Sequence, residues 1–270
     1  MRLSVVVPAY NEAENVGPAI QGLQAVLRSR SIDYQLIAVN DNSEDETESV
    51  IRRFMSEDPH IEIVNRSPPN GFGRAIRSGL KKVNGEAVII FMADQSDDPH
   101  DVLKYYEKLE EGYDCVYGSR FVTGGSAVGY PRLKLFCNRL VNRGLQLMFW
   151  SRHNDLTNAF KAYRTYVIRD CEPYRACHFN ITIEMSLSAL VRQYRIAEVP
   201  INWSGRNSGG SNLNIREMGR RYLSTLLTIF VEKTLISDDL LADHPTAAEK
   251  VSEAVASVKT RTTSANARPR

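Results

Sequence analysis

The sequence predicts an α/β protein built on a mostly parallel, Rossmann-like sheet with helices on both faces. Two observations carry that expectation. From Leu3 to Gly118, short apolar runs alternate with longer charged segments whose apolar residues recur at three and four spacing, as in strands linked by crossover helices. The residues directly after those runs are unusually polar, and an open sheet of this kind binds ligands outside the carboxyl ends of its strands.

Strands are expected at Leu3–Val7, Leu36–Val39, Ile61–Val64, Ala87–Phe91 and Cys115–Tyr117. Helices are expected between them at Asn15–Leu27, Glu44–Met55, Gly73–Val83 and His100–Glu110. Pro99 suits the start of the last, since its φ is preset and it has no N–H to leave unpaired. After Gly118 come a Gly-rich loop (TGGSAVG), a long basic-apolar segment from Pro131 to Trp150, and a polar passage at Asn154–Asn158. A helix at Ile181–Arg192, a strand at Ile196–Val199, a Gly/Ser loop at Ser204–Ser211 and an amphipathic helix at Ile215–Lys233 complete one domain, residues 1–240. From about Asp243 the chain is rich in Ala, Thr, Ser and Arg and has no aromatic residue, so residues 241–270 are expected to form a disordered tail.

A chain of 270 residues can bury roughly three quarters of its unfolded surface, so it needs neither disulfides nor a metal to fold. With 43% hydrophobic and 24% charged residues, wholesale disorder and a polytopic membrane protein are excluded. Thirty-four basic against 32 acidic residues leave a net charge of +2, which argues against a nucleic-acid binder working by bulk electrostatics. Any anion site must be local. The four cysteines form no CxxC pair and no His/Cys cluster at zinc spacing, which predicts buried, reduced thiols in a cytosolic compartment. The opening run LSVVVPAY reads as a strand, and no signal peptide is expected. The longest apolar stretches, Ala87–Ala93 and Tyr222–Val231, fall far short of the roughly 20 residues that cross a bilayer.

The strand ends hold the candidate chemistry. PAYNE (Pro8–Glu12) follows the first strand, NDNSEDET (Asn40–Thr47) the second, MADQSDDP (Met92–Pro99) the fourth and GSR (Gly118–Arg120) the fifth. Asx and Ser runs in such places are often helix caps, but acids gathered at three strand ends repel unless a cation or ligand donors compensate them. No GKS/T phosphate loop, no GxGxxG after the first strand, no GxSxG elbow and no Cys/His nucleophile pair is present. A site of strand-end carboxylates, with Arg and Lys supplied from later in the chain, suits a nucleoside diphosphate and its metal.

In order and spacing, PAYNE, NDNSEDET, GFGRAIRSG, FMADQSDDP, GSRFVTGG, NDLTNAFKAYR and VPINWSGRNSGGSNLNIREMGRRYL closely resemble the family-2 glycosyltransferases. The group most resembled is the dolichol-phosphate (polyprenyl-phosphate) mannosyltransferase-like enzymes, from about Leu3 to about Lys233. The resemblance implies a GT-A fold and an inverting transfer of a hexose from a nucleotide sugar, GDP-mannose or a UDP-sugar, to a polyprenyl or dolichyl phosphate. Pro8, Tyr10 and Glu12 match the motif that walls the nucleoside, Asp41 the acid that hydrogen-bonds the base, and Ala75 a position packed near the nucleoside. Ala93 joins them in the nucleotide site. Asp94 matches the last acid of Asp-x-Asp, which holds a divalent cation, Mg²⁺ or Mn²⁺, on the pyrophosphate. Arg120, Lys134 and Arg206 match basic positions around the sugar phosphate and the acceptor phosphate.

The chain departs from the pattern in four places. Met92 replaces the first acid of Asp-x-Asp, and a thioether is a poor ligand for a hard cation, so Asp94 would hold the metal with Gln95, Ser96 and Asp97 as nearby alternatives. Asn40 replaces a common Asp, and Ser208 and Asn212 stand where relatives often carry basic residues. An acceptor phosphate, with a second pKa of roughly 6, is already a nucleophile at neutral pH. For a hydroxyl acceptor, the alternative, Asp155 would be the base. With phosphate it would orient sugar hydroxyls or Arg side chains. A non-catalytic nucleotide-sugar binding protein is the reading from a different class.

Two segments bear on the membrane. Arg132, Arg139 and Arg143 share one stripe of a helix, while Leu133, Phe136, Leu140 and Leu147 follow apolar spacing. Arg216, Arg220 and Arg221 begin the second helix, ahead of an apolar body. Either both helices pack into the core with a solvated basic face, or they lie on an anionic membrane surface. The second reading makes the protein peripheral on the cytoplasmic face of a membrane and allows a membrane-anchoring partner protein; no nucleic-acid partner is expected.

Overall fold

The computed structural model describes residues 1–205 and 215–242. Chain order runs β1 (Leu3–Ala9), α1 (Val16–Ser29), β2 (Tyr34–Asn40), α2 (Thr47–Glu57), β3 (Ile61–Asn65), α3 (Phe72–Leu80), β4 (Ala87–Ile90), α4 (Asp101–Glu110) and β5 (Cys115–Ser119). It continues with β6 (Ser126–Val128), α5 (Arg132–Phe149), β7 (Lys161–Arg164), α6 (Thr165–Asp170), α7 (Ile181–Val191), β8 (Ile196–Pro200), β9 (Asn202–Ser204), α8 (Ile215–Leu235) and α9 (Ser237–Ala242). The expected strands and helices of the first 118 residues are all present. The expected tail falls outside the described residues beyond the end of α9.

Seven strands form one sheet in the order β3-β2-β1-β4-β7-β5-β8, and β6 pairs with β9 in a separate ribbon. All pairings in the main sheet are parallel except those of β7, which runs antiparallel between β4 and β5. β1, β2 and β4 are buried along their whole length, as continuous apolar strands covered on both faces must be. One face packs Val5, Val7, Leu36 and Ile89 against Ile20, Leu23 and Leu27 of α1, Ile51 of α2, and Val102 and Leu109 of α4. The other packs Val6, Ile37, Val88 and Ile90 against Ala75 and Ile76 of α3 and Ile183 and Leu187 of α7. Burial of such side chains contributes roughly 1.5–3 kcal/mol each, which makes this two-sided core the main source of stability.

The sequence missed β7 because Lys161 interrupts its apolar pattern, and β6 and β9 because each has only three residues. Cys115 and Cys171 are buried thiols as expected, but Cys137 is exposed. The core-helix expectation for the segment after Tyr130 needs a larger correction. α5 buries Asn142, Leu145 and Phe149, and leaves Leu133, Phe136, Leu140 and Leu147 62–77% exposed. The apolar stripe has the anticipated period but faces outward. α8 packs Tyr222, Leu226 and Ile229 on the core while Leu223, Leu227, Val231 and Leu235, spaced four apart, stay exposed.

Candidate active site

Where β1 and β2 end, two loops lock together. Asn11 donates its amide to Ser43 Oγ (3.0 Å) and accepts from Glu44 N (2.9 Å), while Glu12 N donates to Thr47 Oγ1 (2.8 Å) and Ala13 N to Asp45 Oδ2 (3.0 Å). Much of the acidic NDNSEDET run is therefore loop scaffolding. Pro8 lies within buried β1, Tyr10 stands 43% exposed beside it, and Glu12 accepts from Asn15 Nδ2 at 2.7 Å.

Asp41 is buried. One carboxylate oxygen pairs with Arg66 Nη1 and the other accepts from Gly71 N at 2.7 Å, which ties the end of β2 to the start of α3. A Cβ on Gly73 would come within 2.5 Å of Ala176 O, so only glycine allows the start of α3 to sit against the 176–178 segment. Ala75, two residues on, is buried in the core. Asn40, in place of an acid, bonds Asn65 Oδ1 through its side-chain amide (3.0 Å) and accepts from Ser43 N (3.1 Å).

At the end of β4, Ala93 is buried and Asp94 accepts from Ser96 N (3.1 Å) and Ser96 Oγ (2.6 Å). Asp97 is buried beside it and accepts weakly from Met92 N at 3.4 Å. Burial and the neighbouring Asp94 push the Asp97 carboxyl up to about 8. Among the described residues no group of three His, Cys, Asp or Glu side chains converges as a metal cage. What is present fits a different kind of ion site: two close carboxylates and a hydroxyl, suited to a hard cation that keeps waters and takes oxygens from a substrate. A cation there would relieve the repulsion between Asp94 and Asp97.

Opposite these acids, β5 delivers Arg120. Its Nε and Nη2 donate to Asp155 Oδ2 and Oδ1, both at 2.7 Å, and its backbone N donates to Oδ2 at 3.2 Å. The guanidinium is ringed by Phe121 (5.3 Å), Tyr130 (5.4 Å) and Trp203 (5.9 Å), with Tyr130 and Trp203 themselves 4.9 Å apart. Trp203 also bridges to Asp97, so the acid pair and the arginine share one wall. A cavity of about 360 Å³ adjoins it, bounded by Gln95, Asp97, Val128 and Trp203. A Cβ on Gly118 would collide with the Tyr105 hydroxyl, which donates to Phe160 O at 2.7 Å.

The Asn154–Asn158 passage is held from several sides. Ser119 Oγ donates to Asn154 Oδ1 (2.5 Å), Asn154 N to Glu198 Oε1 (3.2 Å), and Asn158 Nδ2 to Gly118 O (3.0 Å). From α5, Asn138 and Asn142 both donate to Thr157 Oγ1, at 2.9 and 3.0 Å. These two asparagines, one helical turn apart, were a readable signal that the sequence reasoning passed over. So were Tyr130 and Trp203. Lys161, also passed over, is buried behind the passage; burial pulls its ammonium down to about 7, against the opposing pull of Asp155.

The structure thus pairs Arg120 with Asp155, places Asp97 within electrostatic reach of both Asp94 and Arg120, and ties Asp41, just after β2, to Arg66 and Gly71. Lys134 is exposed in the first turn of α5. Arg206, Ser208 and Asn212 lie outside the described residues, as does the side chain of Arg216. Of the other basic residues, Arg132, Arg143 and Arg220 are exposed, whereas Arg139 donates to Asn154 O (3.2 Å) and stacks on Phe121 (4.3 Å).

A family model described as "Glycosyl transferase family 2" matches residues 4–172, more than half of the chain. The chain belongs to glycosyl transferase family 2. The dolichol-phosphate mannosyltransferase of Pyrococcus furiosus is 26% identical over 219 residues, covering 79% of this chain and 59% of that protein. The chain therefore spans about six-tenths of that relative's length. The polyprenol monophosphomannose synthase of Mycolicibacterium smegmatis is 27% identical over 225 residues, covering 80% and 83%. Among solved structures, glucosyl-3-phosphoglycerate synthase from Mycobacterium tuberculosis, in complex with Mn²⁺, UDP and glucosyl-3-phosphoglycerate, aligns with a TM-score of 0.64 and 22% identity over 84% of this chain and 79% of its own. That likeness establishes the GT-A fold. The protein is a family-2 glycosyltransferase, and among its described residues no helix is long and apolar enough to cross a membrane.

Proposed function

We propose that this glycosyltransferase moves a hexose from a nucleotide sugar, GDP-mannose or a UDP-hexose, to the phosphate of a polyprenyl lipid at a membrane surface, with inversion. The observation that carries the reading is the Arg120–Asp155 fork beside the acid pair. Both Asp155 oxygens already accept from Arg120, so Asp155 serves to orient a guanidinium rather than to take a proton. A lipid phosphate needs no general base, because its second pKa of roughly 6 leaves it a nucleophile at neutral pH. The names of the two curated relatives agree with a polyprenyl-phosphate acceptor.

The chain's own residues divide the task. Tyr10 and Asp41 flank the nucleoside, and Arg120, with Lys134 and Arg206, meets phosphate charge. Asp94, helped by Ser96 and Asp97, holds a divalent cation, which when bound offsets the charge of the diphosphate leaving group. The exposed stripes of α5 and α8 support action at a membrane, since large apolar side chains left in solvent in a row along a helix mark an interaction or membrane surface. Arg132, Lys134, Arg143 and Arg220 are exposed on the same helices, and each basic residue near an anionic surface contributes about 1 kcal/mol.

Calorimetric titration with GDP, UDP and their hexose conjugates, with and without Mn²⁺, tests the donor half of the reading. One nucleotide should bind in the micromolar range and more tightly with the ion. No binding by any of them would overturn the proposal.

A further inference from the structure

Behind the transfer site a lysine is sealed inside the sheet. Lys161 opens β7, between β4 and β5, and is 1% exposed. Its Nζ donates to Leu156 O and to Ser186 Oγ, both at 2.6 Å, and lies 5.1 Å from the centroid of the Tyr117 ring. Neither hydrogen-bond acceptor is a carboxylate. A buried ammonium whose hydrogen bonds go to neutral groups is an expensive way to fill a core, and a methionine would pack there without the desolvation cost.

What the ammonium does reach is the chain segment that matters. Leu156 follows Asp155 directly, so the bond to its carbonyl fixes the backbone from which the Asp155 carboxylate projects. Ser186, in the middle of α7, donates in turn to Thr182 O at 2.5 Å and anchors the contact to a rigid helix. The bonds of Ser119, Asn138, Asn142 and Asn158 hold the same passage from other directions, and Lys161 supplies the tie from beneath.

We propose that Lys161 is a positioning residue for glycosyl transfer: it pins the Asp155 segment to α7, so that Asp155 presents the Arg120 guanidinium to substrate phosphate in a single orientation. This rests on the reading that Arg120 meets phosphate. Burial and the pull of Asp155 act in opposite directions on the Lys161 proton, which agrees with a lysine coupled to that carboxylate rather than isolated from it.

The test uses the full chain with Lys161→Met, which keeps volume and removes the donor, and Ser186→Ala, which keeps the lysine and removes one acceptor. Transfer to polyprenyl phosphate is read as kcat and donor KM, beside nucleotide Kd by calorimetry and thermal unfolding. Lys161→Met is expected to lower kcat about tenfold or more while donor KM and nucleotide Kd stay within about threefold, because small misplacement of a reacting group costs rate rather than binding. Ser186→Ala is expected to give a smaller loss of kcat with the same split. Wild-type kcat in folded Lys161→Met overturns the proposal, as does a loss of rate and binding that simply follows the folded fraction. If Lys161→Met does not fold, Ser186→Ala decides alone: a lowered kcat at unchanged Kd supports positioning, and an unchanged kcat overturns it. Arg120→Ala in the same assay separates the two layers. Full activity there means the role given to Arg120 has failed, whereas an inactive Arg120→Ala beside a normal Lys161→Met means that only the positioning role has failed.

Discussion

Arg120 and Asp155 stand 35 residues apart in sequence and meet as a two-pronged pair, Nε to Oδ2 and Nη2 to Oδ1, each at 2.7 Å. Their side chains are 7% and 1% exposed. A charge pair this far from water is tolerated only with good geometry and satisfied hydrogen bonds, and the planar fork on a carboxylate supplies both. The pair fixes where the guanidinium's remaining N–H groups point, which is what a phosphate-binding arginine needs.

Arg120→Lys keeps the charge and loses the fork. Transfer is expected to fall about a hundredfold, and stability by roughly 3 kcal/mol, because one Asp155 oxygen is left buried without its partner. Steady-state rates and denaturant unfolding check this. A folded Lys variant with a wild-type rate would contradict the role given to Arg120.

Met92→Asp restores a second carboxylate before Asp94 and is expected to tighten Mn²⁺ binding about tenfold, whereas Asp94→Ala should abolish it. Calorimetry with Mn²⁺ and nucleoside diphosphate reads this without any transfer assay. Equal Mn²⁺ affinity in the wild type and Asp94→Ala would remove the ion from Asp94.

For the exposed stripe of α5, Leu133→Glu together with Leu140→Glu should leave folding intact, since both residues are already in solvent. Binding to anionic vesicles should weaken at least tenfold and should already be salt-sensitive in the wild type. Co-sedimentation decides. A wild-type protein that stays in the supernatant at low salt would remove the membrane from the account.

His153 gives a pH dependence with a definite sign. It is buried, its Nδ1 has no hydrogen-bond partner among the described residues, and burial lowers its pKa from 6.5 to about 4. The folded state thus binds fewer protons than the unfolded chain across that window. Stability from this group is full above pH 6.5 and is lost as pH falls through about 4, by roughly 3 kcal/mol. Asp97 works the other way between 3.8 and about 8, so the sign is read as a difference between proteins. From pH 7 to pH 4 the wild type should lose that amount of stability relative to His153→Phe, and a difference that does not change with pH would refute the assignment.

The parallel strands were legible because β1, β2 and β4 are buried on both faces and read as unbroken apolar runs. β7 was not, because its first residue is a buried lysine whose partners come from α7 and the preceding loop, neither adjacent in sequence. Periodicity found the α5 stripe but could not say what covers it; the buried side turned out to carry Asn142, committed to Thr157. Asp94, Arg120 and Asp155 were singled out from motifs, while the pairing of the last two was not legible, since two loops set it. The carboxylate of Asp45, taken with the NDNSEDET run as a candidate ligand group, accepts from Ala13 N and so is fastened to the 11–13 loop, where local hydrogen bonding competes with ligand binding.

The central claim, that this family-2 glycosyltransferase passes a hexose to a lipid phosphate, is tested most directly by one measurement. Radiolabelled GDP-mannose, with a UDP-hexose in parallel, is incubated with the full chain, Mn²⁺ and vesicles holding either polyprenyl phosphate or the unphosphorylated polyprenol, and label in the butanol-extractable fraction is counted. The account predicts enzyme-dependent label in that fraction from one donor, with the phosphate only, and its loss in Arg120→Lys. Equal labelling of the unphosphorylated polyprenol, or no lipid label from any donor that binds, would contradict it.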